Sequence, residues 1–327
     1  MKKAIKKLLL IILPIGLGIF LIWFSIFSLS EGDINEIKNA FKNANYLWIS
    51  ISLILAFLSH LSRAYRWRFL LAPLGYKPKL YNSLFAVFMA YLINLAIPRA
   101  GEVVRATAIS KYENIPFEKA FGTIVVERII DVIMLLLIII GGFFYQFDLL
   151  LNLMLGKIPE NPLLLAFLGF VLLLSAGGLY YLLIKSKHSF FVKIRHFVNG
   201  LLDGVKSIFT MKKKWAFIGH TFFIWAMYLL MFYTVCLAIP ETANIGIGGV
   251  ITGFIVGALS IAATNGGLGT YPLGVQQVLI LYGIASNPAL AFGWLMWTAQ
   301  NVMILVFGGL SFIAIPFFNR RTITQKD

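Results

Sequence analysis

Two clusters of ionisable side chains stand inside apolar sequence, where few are expected. Arg99, Glu102 and Arg105 lie in Ile97-Pro-Arg-Ala-Gly-Glu-Val-Val-Arg105, and Glu127, Arg128 and Asp131 lie in FGTIVVERIIDVIMLLL. A three-residue spacing puts Arg99, Glu102 and Arg105 on one face of a helix, where Glu102 can pair with either arginine. Arg128 and Asp131 are i,i+3, and Glu127 and Asp131 are i,i+4. Charges at membrane depth are costly, so they pair or face water, and they mark function by default. An arginine fork suits phosphate, to which it donates two parallel hydrogen bonds. Carboxylates can hold such arginines or exchange protons. Two readings stand side by side. The six groups bind a phosphate-bearing headgroup or couple protons, or they fix a chain reversal at the cytoplasmic interface.

The elements that carry these residues follow from composition. The chain has 327 residues, of which 60% are hydrophobic and 13% charged. A soluble domain carries roughly twice that charged fraction, about 25%. Several apolar runs approach or exceed the ~20 helical residues that cross a hydrocarbon core. The expectation is an all-α integral membrane protein, one polytopic domain over residues 1–327. The runs do not alternate as barrel strands do. The net charge of +15 is spread over short loops, so it reads as a topology signal and not as a nucleic-acid surface. Cys236 is the single cysteine, and His60, His188, His196 and His220 are scattered, so no metal site and no cofactor is expected. MKKAIKK and the apolar run behind it are read as a retained first span, because the run is too long for a signal peptide.

Apolar segments fall near 8–29, 46–62, 80–98, 120–147, 162–184, 215–239, 245–264, 270–285 and 288–318. Lys and Arg number four before the first, five in 63–79, eight in 185–214 and three after the last. They number two in 30–45, one in 148–161 and none in 240–246. The positive-inside rule puts the first four regions and both termini in the cytoplasm. Three apolar segments separate two cytoplasmic loops, so one of them must enter and return. The segment broken at Pro98 and Gly101 is the candidate, giving a re-entrant hairpin over 80–112 with Asn94 before its turn. ATNGGLGTYP breaks a second short pair, a hairpin over 245–285 entering from the other face. The expected fold is about six full transmembrane helices plus two re-entrant helical hairpins in the inner (plasma) membrane. Backbone broken at membrane depth must be buried in protein or line a watery cavity. Two such hairpins from opposite faces suit a transporter.

At the second break Asn265, Gly266, Gly267, Gly269, Thr270 and Tyr271 offer backbone and neutral polar groups to a ligand, or form a packed turn without one. Gln276, Gln277, Gln300 and Asn301 either bond between helices or line a cavity. Arg63, Tyr65, Arg66, Trp67 and Arg68 are read as an interfacial anchor or as contacts to anionic lipid. No P-loop, Asp-x-Asp pair or Ser/His/Asp set is found, so no catalytic residue is assigned.

Arg66-Trp67, Asn94…Pro98-Arg99-x-Gly101-Glu102-x-x-Arg105, Glu127-Arg128-x-x-Asp131 and Gly266-Gly267-Leu268-Gly269 follow one another in this order. Together they resemble the flippase-like family related to the transmembrane region of lysylphosphatidylglycerol synthases, over about residues 8–318. The resemblance implies movement of a membrane phospholipid or lipid-linked molecule across the bilayer. It also implies the stand-alone form, without the aminoacyl-transferase domain of two-part relatives. Where that family often has Pro before Gly-Gly-Leu-Gly and an acid three positions after it, this chain has Asn265 and Pro272. The departure weakens a cation or proton role for the second hairpin and leaves anion recognition by the first untouched. A transferase using a lipid-linked donor and a non-transporting membrane scaffold are the alternatives; no protein partner is named.

Overall fold

The computed structural model describes residues 30–147 and 211–320, with Trp23 and a few single residues between 181 and 199. The apolar segments expected at 8–29 and 162–184 lie almost entirely outside the described residues. Among the described residues the chain is helical and no strand occurs. Met1–Glu127 and Trp215–Asp327 make one compact unit, and Arg128–Lys214 a second.

Helix α1, Glu31–Asn43, is polar and starts at a capping box. Ser30 Oγ accepts from the Asp33 amide, and the Asp33 carboxylate accepts from the Ser30 amide. Asp33 and Glu36 also accept from Asn287 Nδ2 at 2.8 and 2.7 Å, which ties α1 to the start of the last helix. Helix α2, Tyr46–Leu71, is capped by the Asn45 side chain and closes through a short 3₁₀ turn at Gly75, whose φ is 88°. Hydropathy ends this span near residue 62 and assigns Arg63, Arg66 and Arg68 to a loop. The structure corrects that boundary. The helix runs nine residues further, because Arg, Trp, Phe and Leu are adequate helix formers and no Gly or Pro interrupts them before Pro73.

Helices α3, Leu80–Ala96, and α4, Ala100–Glu113, pack together as a pair joined by Ile97-Pro98-Arg99. Arg99 has φ 62°, the left-handed region that lets the chain turn back. Helix α5, Phe117–Tyr145, crosses from the first unit to the second; α6 is Lys214–Cys236. Helices α7, Ile247–Ala263, and α8, Thr270–Leu281, form a second pair, broken by Asn265–Gly267 and by Gly269. Helix α9, Ser286–Phe318, closes the described chain. By length and composition α2 (with its 3₁₀ turn), α6 and α9 can each cross a membrane, while α3 and α7 are shorter apolar helices.

Helix α9 is a ruler for the rest of the first unit. At its start Gln276 of α8 donates to the Ser286 carbonyl at 3.1 Å. Seven residues on, Gly293 lies against Pro272; a Cβ there would stand 2.7 Å from the Pro272 carbonyl oxygen. Trp297 Nε1 donates to the Gly266 carbonyl at 2.8 Å. Gly308 then meets Leu92 and the Phe88 carbonyl of α3. Just beyond the end of α9, Asn319 and Asn82 exchange amide hydrogen bonds at 2.7 and 3.0 Å. Its 33 residues span about 50 Å at 1.5 Å per residue. The two helix pairs therefore lie end to end along α9, with their open ends at its two termini and their breaks near its middle. Phe232 of α6 and Phe292 of α9, rings 5.1 Å apart, centre an apolar core with Ile49, Val275 and Leu279.

Candidate functional site

The breaks meet. A Cβ on Gly266 would lie 2.8 Å from Leu95 Cδ2, so the tip of α7/α8 touches the last turn of α3. Only glycine fits there, on two grounds: the neighbour is in contact, and φ is 60°. Gly267 and Gly269 also have positive φ, 77° and 72°.

Each break leaves helix-end groups that need partners. At the first, Asn94 Oδ1 accepts from the Gly101 amide at 2.8 Å. Asn94 Nδ2 reaches Glu102 at 3.4 Å. Gly101 sits so close to α3 that a Cβ would run into the Ala90 carbonyl. At the second, the Thr264 and Thr270 hydroxyls lie 2.7 Å apart, and Thr270 donates to the Ser260 carbonyl at 3.1 Å. Trp297 covers the Gly266 carbonyl, and Asn301 donates to the Trp297 carbonyl at 2.7 Å. Side chains thus replace the bonds that the broken helices lack.

Arg99 stands exposed at the first tip. Arg105, two turns down α4, is buried. Its Nη1 and Nη2 donate to Glu127 Oε1 and Oε2 at 2.9 and 3.0 Å, a fork-to-fork pair that joins α4 to α5. Its guanidinium lies 3.9 Å from the centre of the Trp67 ring, and Trp67 Nε1 donates to Thr123 Oγ1 at 2.8 Å. The expectation that Arg105 is available for a ligand gives way to this geometry.

Two further arginines reach the same carboxylate. Arg63 Nη1 donates to Glu127 Oε1 at 2.7 Å, and Arg66 Nη2 is 3.6 Å from it. Arg63 also donates to the Tyr228 hydroxyl at 3.2 Å, and Arg66 to Thr221 Oγ1 at 2.9 Å, both on α6. Arg66 and Glu127 are 0% exposed, and Arg63 and Arg105 2%. One carboxylate thus gathers three guanidiniums from α2 and α4, and the set ties α2, α4, α5 and α6 together. Arg63 and Arg66 are therefore neither loop charges nor snorkelling anchors. Spacing does carry a faint signal, since Arg63, Arg66 and Trp67 fall at i, i+3, i+4 and share one face. Nothing local marks their partner, 64 residues away.

Arg128 and Asp131 belong to the second unit, where Arg128 Nη1 donates to Asp131 at 3.3 Å. Tyr271 is not a tip ligand group. It is buried in the core, its ring against Gly257 and its Cβ against Gly267. Asn265 opens the short 3₁₀ turn. Among the described residues no cluster of His, Cys, Asp and Glu could hold a metal.

The family model described as the lysylphosphatidylglycerol synthase TM region matches residues 11–308. Over 116 residues the chain is 34% identical to "UPF0104 membrane protein MJ1595" of Methanocaldococcus jannaschii, a match covering 34% of each chain. Over 102 residues it is 30% identical to "Glycosyltransferase AglD" of Haloferax volcanii, covering 31% of this chain and 16% of that protein. Over 144 residues it is 27% identical to "UPF0104 membrane protein PH1989" of Pyrococcus horikoshii, covering 43% and 41%. The match therefore spans between about a sixth and two fifths of these relatives' own lengths. No solved structure matches.

Proposed function

The chain belongs to the lysylphosphatidylglycerol synthase transmembrane-region family of membrane proteins, and on that premise we propose that it is a flippase-type transporter. Its substrate is an anionic amphiphile, a phospholipid or a lipid-linked molecule. The observation that carries this reading is the tip-to-tip contact of two broken helix pairs, Leu95 against Gly266, near the middle of α9. Such backbone is tolerated at membrane depth where it is buried in protein or lines a cavity, and transporters bind substrate there.

In this reading the headgroup passes the junction of the tips while the acyl chains stay in lipid. Arg99, exposed at the turn, contacts phosphate, and Glu102 with Asn94 borders its path. Glu127 holds Arg105, and with it α4, to the rest of the body. The backbone from Asn265 to Gly269 completes the set proposed to act on substrate; Tyr271 supports the second turn from the core. The topology that accompanies the reading is six full spans, with re-entrant hairpins over 80–112 and 245–285. Both termini lie in the cytoplasm of an inner-membrane protein.

Reconstitution tests it: purified protein in vesicles should move labelled phosphatidylglycerol or a lipid-linked sugar between leaflets. One observation favours a second reading, a transferase acting on a lipid-linked donor, namely the match to a relative named as a glycosyltransferase. Consumption of a dolichyl- or undecaprenyl-linked sugar donor by the purified protein, without transbilayer movement, would choose that reading instead.

A further inference from the structure

We infer that an anionic phospholipid is held at the end of α9, with an acyl chain in an apolar groove of that helix and its phosphate between Arg320 and Lys79. The groove has a volume of about 490 Å³, within the ~300–1,000 Å³ of pockets that take small molecules. Leu310, Ile313, Ala314 and Phe317 line it, at the i, i+3, i+4, i+7 spacing of one helix face. The groove is remote from the meeting of the tips. Trp297 covers the Gly266 carbonyl, and Phe317 lies about 30 Å further along the helix at 1.5 Å per residue.

The mouth of the groove selects the lipid. Arg320 is exposed there, its guanidinium 4.6 Å from the centre of the Phe317 ring. Lys79 is exposed as well, with its Nζ 5.8 Å from the centre of the Tyr81 ring. Tyr81 and Phe85 of α3 meet Phe318 at 5.6 and 5.8 Å between ring centres. These rings make an aromatic floor from α3 to α9, with one cation on each helix's side of it. The buried Asn82–Asn319 pair pins the floor, since Asn82 follows Lys79 by less than a turn and Asn319 directly precedes Arg320. Glu113 is tied into the same clasp: it accepts from the Lys79 amide at 3.0 Å and from Asn82 at 2.6 Å.

Two cations on an aromatic floor, opening into an apolar groove, match a phosphate joined to a hydrocarbon chain. A guanidinium donates two parallel bonds to phosphate, and a ring beneath it holds it in place without neutralising it. A zwitterionic headgroup brings its own ammonium to the same place, where Arg320 and Lys79 repel it. The site therefore favours a headgroup of net negative charge. Three more cations at this end of the first unit rest on rings: Arg68 on Tyr65, Lys111 on Tyr112 and Lys119 on Tyr76. Aromatic rings and cations together mark headgroup level. The mouth thus lies among headgroups and the groove along the acyl region. A lipid seated there bridges the start of α3 and the end of α9, and its binding does not depend on transport.

Native mass spectrometry of the full chain in mild detergent tests the site, with phosphatidylglycerol or phosphatidylcholine of matched chains added. Wild type should retain phosphatidylglycerol in preference to phosphatidylcholine by about tenfold, as two cations near a headgroup supply. Arg320→Gln with Lys79→Gln should abolish that preference. Ile313→Trp, which fills the groove from an exposed position, should weaken retention of both lipids. Thermal midpoints verify that the variants are folded. Arg99→Asn, altered at the distant tip, should keep its phosphatidylglycerol. Wild type that retains no lipid, equal retention of the two lipids, or a double variant with its preference intact overturns the inference. Loss of the lipid in Arg99→Asn but not in the double variant also overturns it, by placing the lipid at the tips. The expected pattern on a protein that moves no lipid would leave the site standing and strike the transporter reading alone.

Discussion

Both terminal nitrogens of Arg105 lie on Glu127, at 2.9 and 3.0 Å, inside a body whose other buried residues are mostly apolar. Removing one partner of such a pair leaves an uncompensated buried charge, at a cost of about 3–5 kcal/mol. Glu127→Ala strands the guanidiniums of Arg63, Arg66 and Arg105 at once. Its thermal midpoint in detergent should fall far below that of Asp131→Ala, whose pair with Arg128 is 38% and 12% exposed. Exposed pairs contribute about 0–1 kcal/mol. Equal midpoints for the two variants would contradict the hub.

Trp67 both faces Arg105 and donates to Thr123. Trp67→Phe keeps an aromatic face and drops the bond to Thr123, so a loss of about 1 kcal/mol is expected. Trp67→Ala removes the packing as well and should cost about 3–5 kcal/mol. Chemical unfolding of the purified variants gives the order, and a Phe variant as weak as the Ala variant would assign the stabilisation to the indole N–H.

Gly101→Ala pushes a methyl group into the Ala90 carbonyl and the Asn94 side chain. Overpacking costs about 1–3 kcal/mol and more when backbone must shift, so folded yield should drop. Gly122→Ala is the control, since nothing stands within 4 Å of its new Cβ. That variant should be neutral or gain up to about 1 kcal/mol from helix propensity. Size-exclusion profiles of the two proteins compare them directly.

The cap of α1 carries a pH dependence. Hydrogen bonds from the Ser30 side chain, Asn287 and the Ser30 backbone lower the Asp33 pKa below its ordinary value. A carboxyl with a depressed folded pKa contributes stability above its unfolded pKa, about 3.9 for Asp, and loses it as pH falls through the lower folded value. Exchange protection of the α1 amides should therefore fall on acidification below about pH 4. Asp33→Asn should remove that step.

Sequence carried the breaks well. Pro98 and Gly101, and the glycines after Thr264, announce chain reversal by local backbone preference, which needs no partner to be read. The charges were harder. Arg105 and Glu127 stand out because apolar sequence surrounds them, but Arg63 and Arg66 follow an apolar run and look like the end of a span. Only the fold brings Glu127 to them. Tyr271 misled for a related reason. It follows a glycine turn and carries a hydroxyl, yet Gly257 leaves the hole in α7 that its ring fills. Gly253 and Gly257, four apart on one helix face, were the legible hint of close approach.

The central claim is transport at the meeting of the two tips, and Arg99 tests it without touching the buried hub. Arg99→Asn removes the exposed guanidinium and keeps a side chain that tolerates the left-handed backbone at φ 62°. The measurement is transbilayer movement of labelled phosphatidylglycerol, with a lipid-linked sugar phosphate in parallel, in vesicles holding wild type or Arg99→Asn. The account predicts movement of at least one lipid by wild type, and a loss of tenfold or more in the variant at equal folded protein, on the order of 1.4 kcal/mol of lost phosphate recognition. Well-folded wild type that moves neither lipid, or a variant that moves them as fast as wild type, would contradict it.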